Sequence, residues 1–234
     1  MKSSIRITCF LIACCITSSA YPNKHLLKLA LAVSASPTKS HRTYAREILM
    51  QEFKNISYAN TQTLAAIVTA YHYKNETHLY AEHSGTLYEA IDNFSGTSGF
   101  PHKIYQLLNS AENPSFVKGH MYELETALAL KERRETVTHF DYEFFCPTRE
   151  CKCSIDLVTK NHLIECKNIA WDAYKLNNRN QSNKLQAQLL SYRSLVDDEE
   201  NEENLSFTLI SKQPITQEWK EWLDENDIEY AEGH

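Results

Sequence analysis

SIDLVTKNHLIECKN, residues 154–168, holds two short apolar runs of strand character, Ser-Ile-Asp-Leu-Val and Leu-Ile-Glu-Cys-Lys, on either side of Thr159-Lys160-Asn161-His162. Those four polar residues have the length and polarity of a hairpin turn. With Lys160-Asn161 as the tight turn, Asp156 falls directly opposite Glu165. Side chains alternate between the faces of a strand, so Asp156, Glu165 and Lys167 are expected on one face, and Ile155, Leu157, Ile164 and Cys166 on the other.

Carboxylates facing each other across a ladder repel, and half-buried charges lose hydration. A divalent cation removes that objection. A hard ion such as Mg²⁺ takes oxygen ligands from one or two carboxylates and keeps its other positions for water or phosphate oxygens. Lys167, one pleat further on, would then hold an attacking water or neutralise a phosphate. The plainer reading of the same residues is a solvent-facing ladder with an ordinary Glu–Lys neighbourhood, since alternating polar faces are common in antiparallel sheets.

At 234 residues, with 42% hydrophobic and 11% aromatic side chains and only 5 Gly and 6 Pro, the chain has ample material for one domain and an appendage, or for two small domains. The net charge is −6. A polycation that finds nucleic acid by bulk electrostatics is thereby excluded, and any phosphate binding must be local and metal-assisted.

The N-terminus reads as an export signal: Lys2 and Arg6, an apolar stretch over 7–16, then Ser18-Ser19-Ala20 as a small-residue cleavage site ahead of Tyr21-Pro22. Cleavage after Ala20 would make the protein secreted or periplasmic. Leu11-Ile12-Ala13-Cys14 also resembles a bacterial lipobox, which would instead put a lipid on Cys14 and tether the chain to a membrane. An uncleaved N-terminal helix is the third reading. No later run has the length of a transmembrane span. Of seven cysteines, Cys146, Cys151, Cys153 and Cys166 lie beyond the signal. In an exported chain these favour disulfides, with free buried thiols and a zinc site as alternatives.

Apolar residues recur at three- and four-residue spacing over 26–35, 43–53, 63–73 and 103–110, so 21–113 is expected to be a helical N-terminal region, with 95–101 as a loop. From 114 the pattern changes. A helix over 116–134 precedes a strand over 137–145, a cysteine-rich bend, the hairpin, a polar loop, a helix over 184–195, an acidic run over 197–203, a strand over 205–211, a helix over 216–224 and a short strand at 228–230. That order, αβββαβαβ, implies an α/β domain over 114–234 with a mixed sheet and helices on both faces.

Two more pieces fall into line with the hairpin. Glu123 follows Gly119 by four on the leading helix, and Gln188 and Tyr192 form a Q-x-x-x-Y on the later one. Glu on a helix, Asp on a strand, Glu-x-Lys on the next strand and Gln-x-x-x-Tyr on the following helix together resemble the PD-(D/E)XK nuclease superfamily, the last element being similar to that of its RecB-like branch. Ile155 stands where the family's name has proline. The resemblance covers about half the chain, residues 116–232.

What it implies is a restriction-endonuclease-like mixed sheet flanked by helices and an exported, metal-dependent hydrolase of phosphodiester bonds in DNA or RNA. Asp156, Glu165 and the main-chain carbonyl of Cys166 would hold Mg²⁺ or Mn²⁺, Glu123 a second ion or a metal-bound water, and Lys167 the attacking water or the developing charge. Gln188 and Tyr192, one turn apart on the same side, would touch the site or the nucleic-acid backbone, or simply pack. Glu125 is a rival to Glu123 but projects about 200° away round the helix. Nucleic acid is the expected partner, and an immunity or inhibitor protein a further one. Two other classes fit the same residues: a catalytically inactive nuclease-fold binding or effector module, and a disulfide-stabilised secreted interaction protein.

Overall fold

The computed structural model describes residues 24–35, 39–72, 78–110, 113–146, 150–176, 182–196 and 205–233. The signal-peptide and lipobox readings and the acidic run lie outside them. Two compact units meet between Val117 and Lys118, a few residues beyond the expected boundary and inside the first turns of a helix.

The first unit is helical: α1 Lys24–Ala35, α2 Lys39–Lys54, α3 Thr61–His72, α4 His78–Phe94 and α5 Phe100–Asn109. In α1 the buried residues Leu26, Leu27, Ala30 and Val33 trace one stripe, and this helix packs on α2 and α3. The sequence pattern did not reveal α4, because Gly85 sits at its centre. A Cβ there would meet nothing, so Gly85 weakens the helical signal without being needed for packing, and Leu87, Ala90, Ile91 and Phe94 bury the second half. Helix α5 starts inside the expected loop. Gly99, at φ 77°, turns the chain, and Pro101 fits the first turn, where its missing N–H costs nothing.

The second unit is a mixed α/β layer. Its leading helix, α6 Pro114–Glu132, is capped by Asn113, whose Oδ1 accepts the Ser115 amide at 3.2 Å, with Pro114 at the first helical position. It ends where Arg134 turns left-handed at φ 66° and the Glu135 amide reaches back to Leu130. There follow β1 Val137–Cys146, β2 Cys151–Thr159, β3 His162–Lys167, a 3₁₀ turn Trp171–Ala173, α7 Ser182–Val196, β4 Ser206–Ser211, α8 Gln217–Glu225 and β5 Glu229–Glu232. The five strands stand in sequence order. β1, β2 and β3 are antiparallel neighbours, whereas β3–β4 and β4–β5 are parallel and are bridged by α7 and α8.

Both crossover helices bury their apolar residues in one core: Leu185, Leu189 and Tyr192 of α7 meet Trp219 and Leu223 of α8 over Ile155, Leu163, Phe207 and Leu209 of the sheet. Two tryptophans tie the segment after β3 to this core. The Trp171 and Trp219 rings lie 5.2 Å apart edge to face, Trp171 Nε1 donates to Ser211 Oγ at 2.7 Å, and Trp219 Nε1 donates to the Tyr174 carbonyl at 2.5 Å. No α6 residue belongs to that core; α6 meets the sheet where the buried Thr126 lies beside the Cys166 thiol.

Lys160-Asn161 is the turn, as the hairpin reading has it, and the register pairs Leu157 with Ile164 and Val158 with Leu163. Beyond those two pairs the strands part. The Cys166 amide, which a continuing ladder would bond to β2 backbone, donates instead to Asp156 Oδ2 at 2.8 Å. The Ser154 carbonyl is taken by the Tyr192 hydroxyl at 2.7 Å. A notch therefore opens between the first half of β2 and the end of β3, with side chains closing the hydrogen bonds that the ladder gives up.

This parting overturns two expectations. Asp156 is not paired with Glu165, because the ladder stops at Leu157–Ile164 and Asp156 turns to the Cys166 amide. Ile155 does not share a face with Leu157, Ile164 and Cys166; it lies with Cys153 and Leu163 in the core under α7 and α8. Asp141, in the partner strand β1 between the pairs Phe140–Leu157 and Tyr142–Ile155, has φ 48°. A left-handed residue there breaks the alternation of faces and turns the upstream half of the hairpin over.

The expected disulfides are also absent among the described residues. Cys146, Cys151, Cys153 and Cys166 are all free. Cys151 and Cys153 Sγ stand 3.8 Å apart, as second neighbours along one strand do when they project to the same side. Cys166 sits in β3, on the far side of the notch from the other three.

Candidate functional site

The notch gathers ionisable side chains from four elements. Glu123 comes from α6, Asp141 from β1, Asp156 from β2, and Glu165 and Lys167 from β3. One carboxylate oxygen each of Glu123, Asp141 and Asp156 lies within 4.8 Å of the others. Glu123 is buried, with the His120 Nδ1 3.5 Å from its Oε1. The rival Glu125 points elsewhere, to Lys212, whose ammonium also lies 5.3 Å from the centre of the Tyr122 ring.

Glu165 is 2% exposed. Its Oε1 accepts from Lys167 Nζ and, at 3.1 Å, from Gln188 Nε2. Its Oε2 is buried with no hydrogen-bond partner among the described residues. Burial pushes this carboxyl up from its ordinary range and Lys167 pulls it back, with Glu123 adding to the upward push. For Lys167, burial disfavours the charge, but Glu165 and Asp156 outweigh it and hold the ammonium above its usual range. The pair is thus an ion pair in a nearly dry setting, where each charge depends on the other.

Gln188 and Tyr192 lie one turn apart on the buried side of α7. Gln188 Nε2 also reaches the Tyr192 hydroxyl at 2.6 Å, and burial keeps that phenol protonated, so it serves as donor to Ser154. The two residues link Glu165 on one lip of the notch to β2 on the other. Tyr192→Phe removes the hydroxyl donor on the Ser154 carbonyl and is expected to cost about 1–2 kcal/mol of stability, read by urea unfolding. A change within experimental error would mean that the notch does not need this strut.

The structure thus brings together Glu123, Asp156, Glu165, Lys167, Gln188 and Tyr192, with differences in detail. The part of Cys166 tied to the cluster is its amide, through Asp156. Its thiol is driven well up by burial and then by Asp156 and Glu123, so it remains protonated at neutral pH. Under native conditions iodoacetamide is expected to label the half-exposed Cys151 first and to reach Cys166 only after unfolding, as peptide mapping would record. Early labelling of Cys166 would contradict its burial.

Asp141 was missed from the sequence, although a signal existed. Cys146 pairs with Cys151 across the β1–β2 hairpin; a turn placed on residues 147–150 would have set Asp141 opposite Asp156.

The donor set suits a hard divalent cation. Three converging carboxylates repel one another without a counter-charge, and Glu165 Oε2 adds a buried acceptor that no donor among the described residues meets. Thiols, the usual ligands of softer metals, are not in this group. Neither a scan against protein-family models nor a search of curated proteins finds a match to this chain.

Proposed function

We propose that the second unit hydrolyses phosphodiester bonds of nucleic acid with Mg²⁺ or Mn²⁺ as cofactor, and that its sheet is a restriction-endonuclease-like fold of the PD-(D/E)XK kind. The observation that carries this reading is the convergence of Glu123, Asp141 and Asp156 within 4.8 Å, beside a buried Glu165–Lys167 pair. A solvent-facing ladder has no reason to bury a lysine against a glutamate, and a purely structural cluster gains nothing from a third carboxylate.

When bound, the cation supplies Lewis-acid neutralisation of charge on a phosphoryl oxygen and lowers the pKa of a water. Asp141, Asp156 and Glu123 are the residues that would hold it, with Glu165 Oε2 as a further donor. Lys167 keeps a fixed positive charge at the mouth of the notch, where negative charge builds on the phosphate or where the attacking water is turned. Gln188 fixes Glu165, so that Lys167 meets an oxygen of defined direction. Asp156 has two duties, since its Oδ2 anchors β3 through the Cys166 amide.

Incubating the purified chain with supercoiled plasmid and with RNA, in Mg²⁺, in Mn²⁺ and in EDTA, tests the reading, with Asp141→Asn as the control. Asparagine tolerates the left-handed backbone at position 141 and removes only the charge. Metal-dependent cleavage that Asp141→Asn loses is the expected result. A wild type that cuts neither substrate and shows no thermal shift with either metal would sink it.

A further inference from the structure

Next to the acidic cluster lies an open cavity of about 720 Å³, walled by the first half of β2, the segment after β3 and the buried side of α7. Three of its lining residues are lysines, Lys152, Lys167 and Lys184, and none of the described residues lining it is a carboxylate. In a chain of net charge −6 that is a local reversal of sign. Tyr174 adds a half-buried ring to the wall, and Gln188 and Tyr192 join the cavity to Glu165. Lys167 belongs both to the cavity lining and to the ion pair with Glu165, so whatever fills the cavity ends at the acidic cluster.

Resting on the phosphodiesterase reading, we propose that this cavity binds one unpaired strand of nucleic acid, with Lys152 and Lys184 on successive phosphates and Tyr174 as a stacking surface, and that the substrate is therefore single-stranded or frayed. A basic groove with an aromatic platform is the recurrent arrangement for single strands, because every base offers a ring face whatever its sequence. The volume lies in the range that encloses a small ligand, enough for a nucleotide or two. A paired duplex presents a rigid convex surface with its bases stacked inside, and it cannot enter such a cavity without opening. Lys152 is able to serve: its partner Glu143 stands 3.4 Å away with both side chains mostly exposed, a pairing that a phosphate readily displaces. Lys184 is exposed on the first turn of α7.

The test is fluorescence anisotropy with a labelled single-stranded 12-mer and with the same sequence closed into a hairpin duplex. It uses the full chain in Mg²⁺ with Asp156→Asn to prevent cutting, with and without Lys152→Ala and Lys184→Ala together. With Lys167 at a third phosphate beside the acidic cluster, three phosphate contacts predict a log–log salt slope of about −2 for the single strand, weakening to about −0.7 when Lys152 and Lys184 are removed, with affinity at low salt down roughly tenfold. In cutting assays on the otherwise unmodified chain, the same pair of substitutions should raise KM and leave kcat nearly unchanged. Equal affinity for hairpin and single strand, an unchanged slope in the double variant, or no measurable binding would each overturn the assignment of the cavity. A wild type that still cuts nucleic acid in those cases would leave the phosphodiesterase reading standing, whereas a wild type that cuts nothing would remove the reading itself.

Discussion

Asp156→Asn is expected to abolish phosphodiester cleavage, with a loss on the order of 10²–10³ or more in rate, and yet to yield a protein at least as stable as the wild type in EDTA. The two halves of this expectation follow from the two duties of the side chain. Its Oδ2 accepts the Cys166 amide where β2 and β3 part, and the amide oxygen of asparagine can accept the same bond, so the notch keeps its shape. The charge, however, is gone. In the absence of metal that is a relief, because Glu123 and Asp141 crowd the same few ångströms. In Mg²⁺ the order should reverse: an ion that binds only the native state stabilises it by mass action, and the wild type, with its full carboxylate set, should gain more. Thermal melts of both proteins with and without Mg²⁺ would show crossing stabilities. A variant that is weaker in EDTA and gains as much from Mg²⁺ as the wild type would show that Asp156 is a strut and no ligand.

Lys167→Met is expected to cut about 10²–10³-fold more slowly and, unlike Asp156→Asn, to lose stability as well. The sequence reading treats Lys167 as a surface cation in its plainer form; the structure puts it at 18% exposure against a glutamate at 2%. Removing one member of such a pair strands the other, at a cost on the order of 2–4 kcal/mol, discounted for the part of Lys167 that reaches solvent. Combining Lys167→Met with Glu165→Gln removes both charges and should return most of the stability while leaving cleavage lost. Denaturant unfolding and single-turnover cleavage on the three proteins separate the two effects. Full turnover in Lys167→Met would show that the ammonium serves only to hold Glu165.

The hairpin was legible because its turn is local: Lys160-Asn161 alone sets the pairs Val158–Leu163 and Leu157–Ile164, although the ladder ends before Asp156 could face Glu165. The order of strands and helices in the second unit was legible for a similar reason, since each element carries its own period. What could not be read was where regularity fails. Strict alternation placed Ile155 with Leu157, and nothing in residues 154–168 announces that Asp141, on another strand, turns the backbone left-handed and moves Ile155 to the other core. For the same reason Asp141 itself went unseen as a site residue: its place depends on the register of β1 against β2, set by a turn whose cysteines suggested a disulfide. The burial of Glu165 and Lys167 was equally hidden, because strand alternation gives a face and not a depth.

The notch divides the sheet into two pieces of unequal security. β3, β4 and β5 are laced by parallel ladders under the Trp171–Trp219 core, while the β1–β2 hairpin is paired to them only through Leu157–Ile164 and Val158–Leu163. Asp141 and Asp156 ride on the hairpin; Glu165 and Lys167 ride on the laced strands. Undocking of the hairpin is therefore the opening that scatters the charges, and it leaves β3, β4 and β5 paired while withdrawing Cys146, Cys153 and Ile155 from the shared core. Amide protons of β1 and the first half of β2 should exchange with solvent at a lower free energy than those of β4. In refolding, helical signal should return before the hairpin seats, so that the chain passes through a compact species with most of its secondary structure and no assembled site.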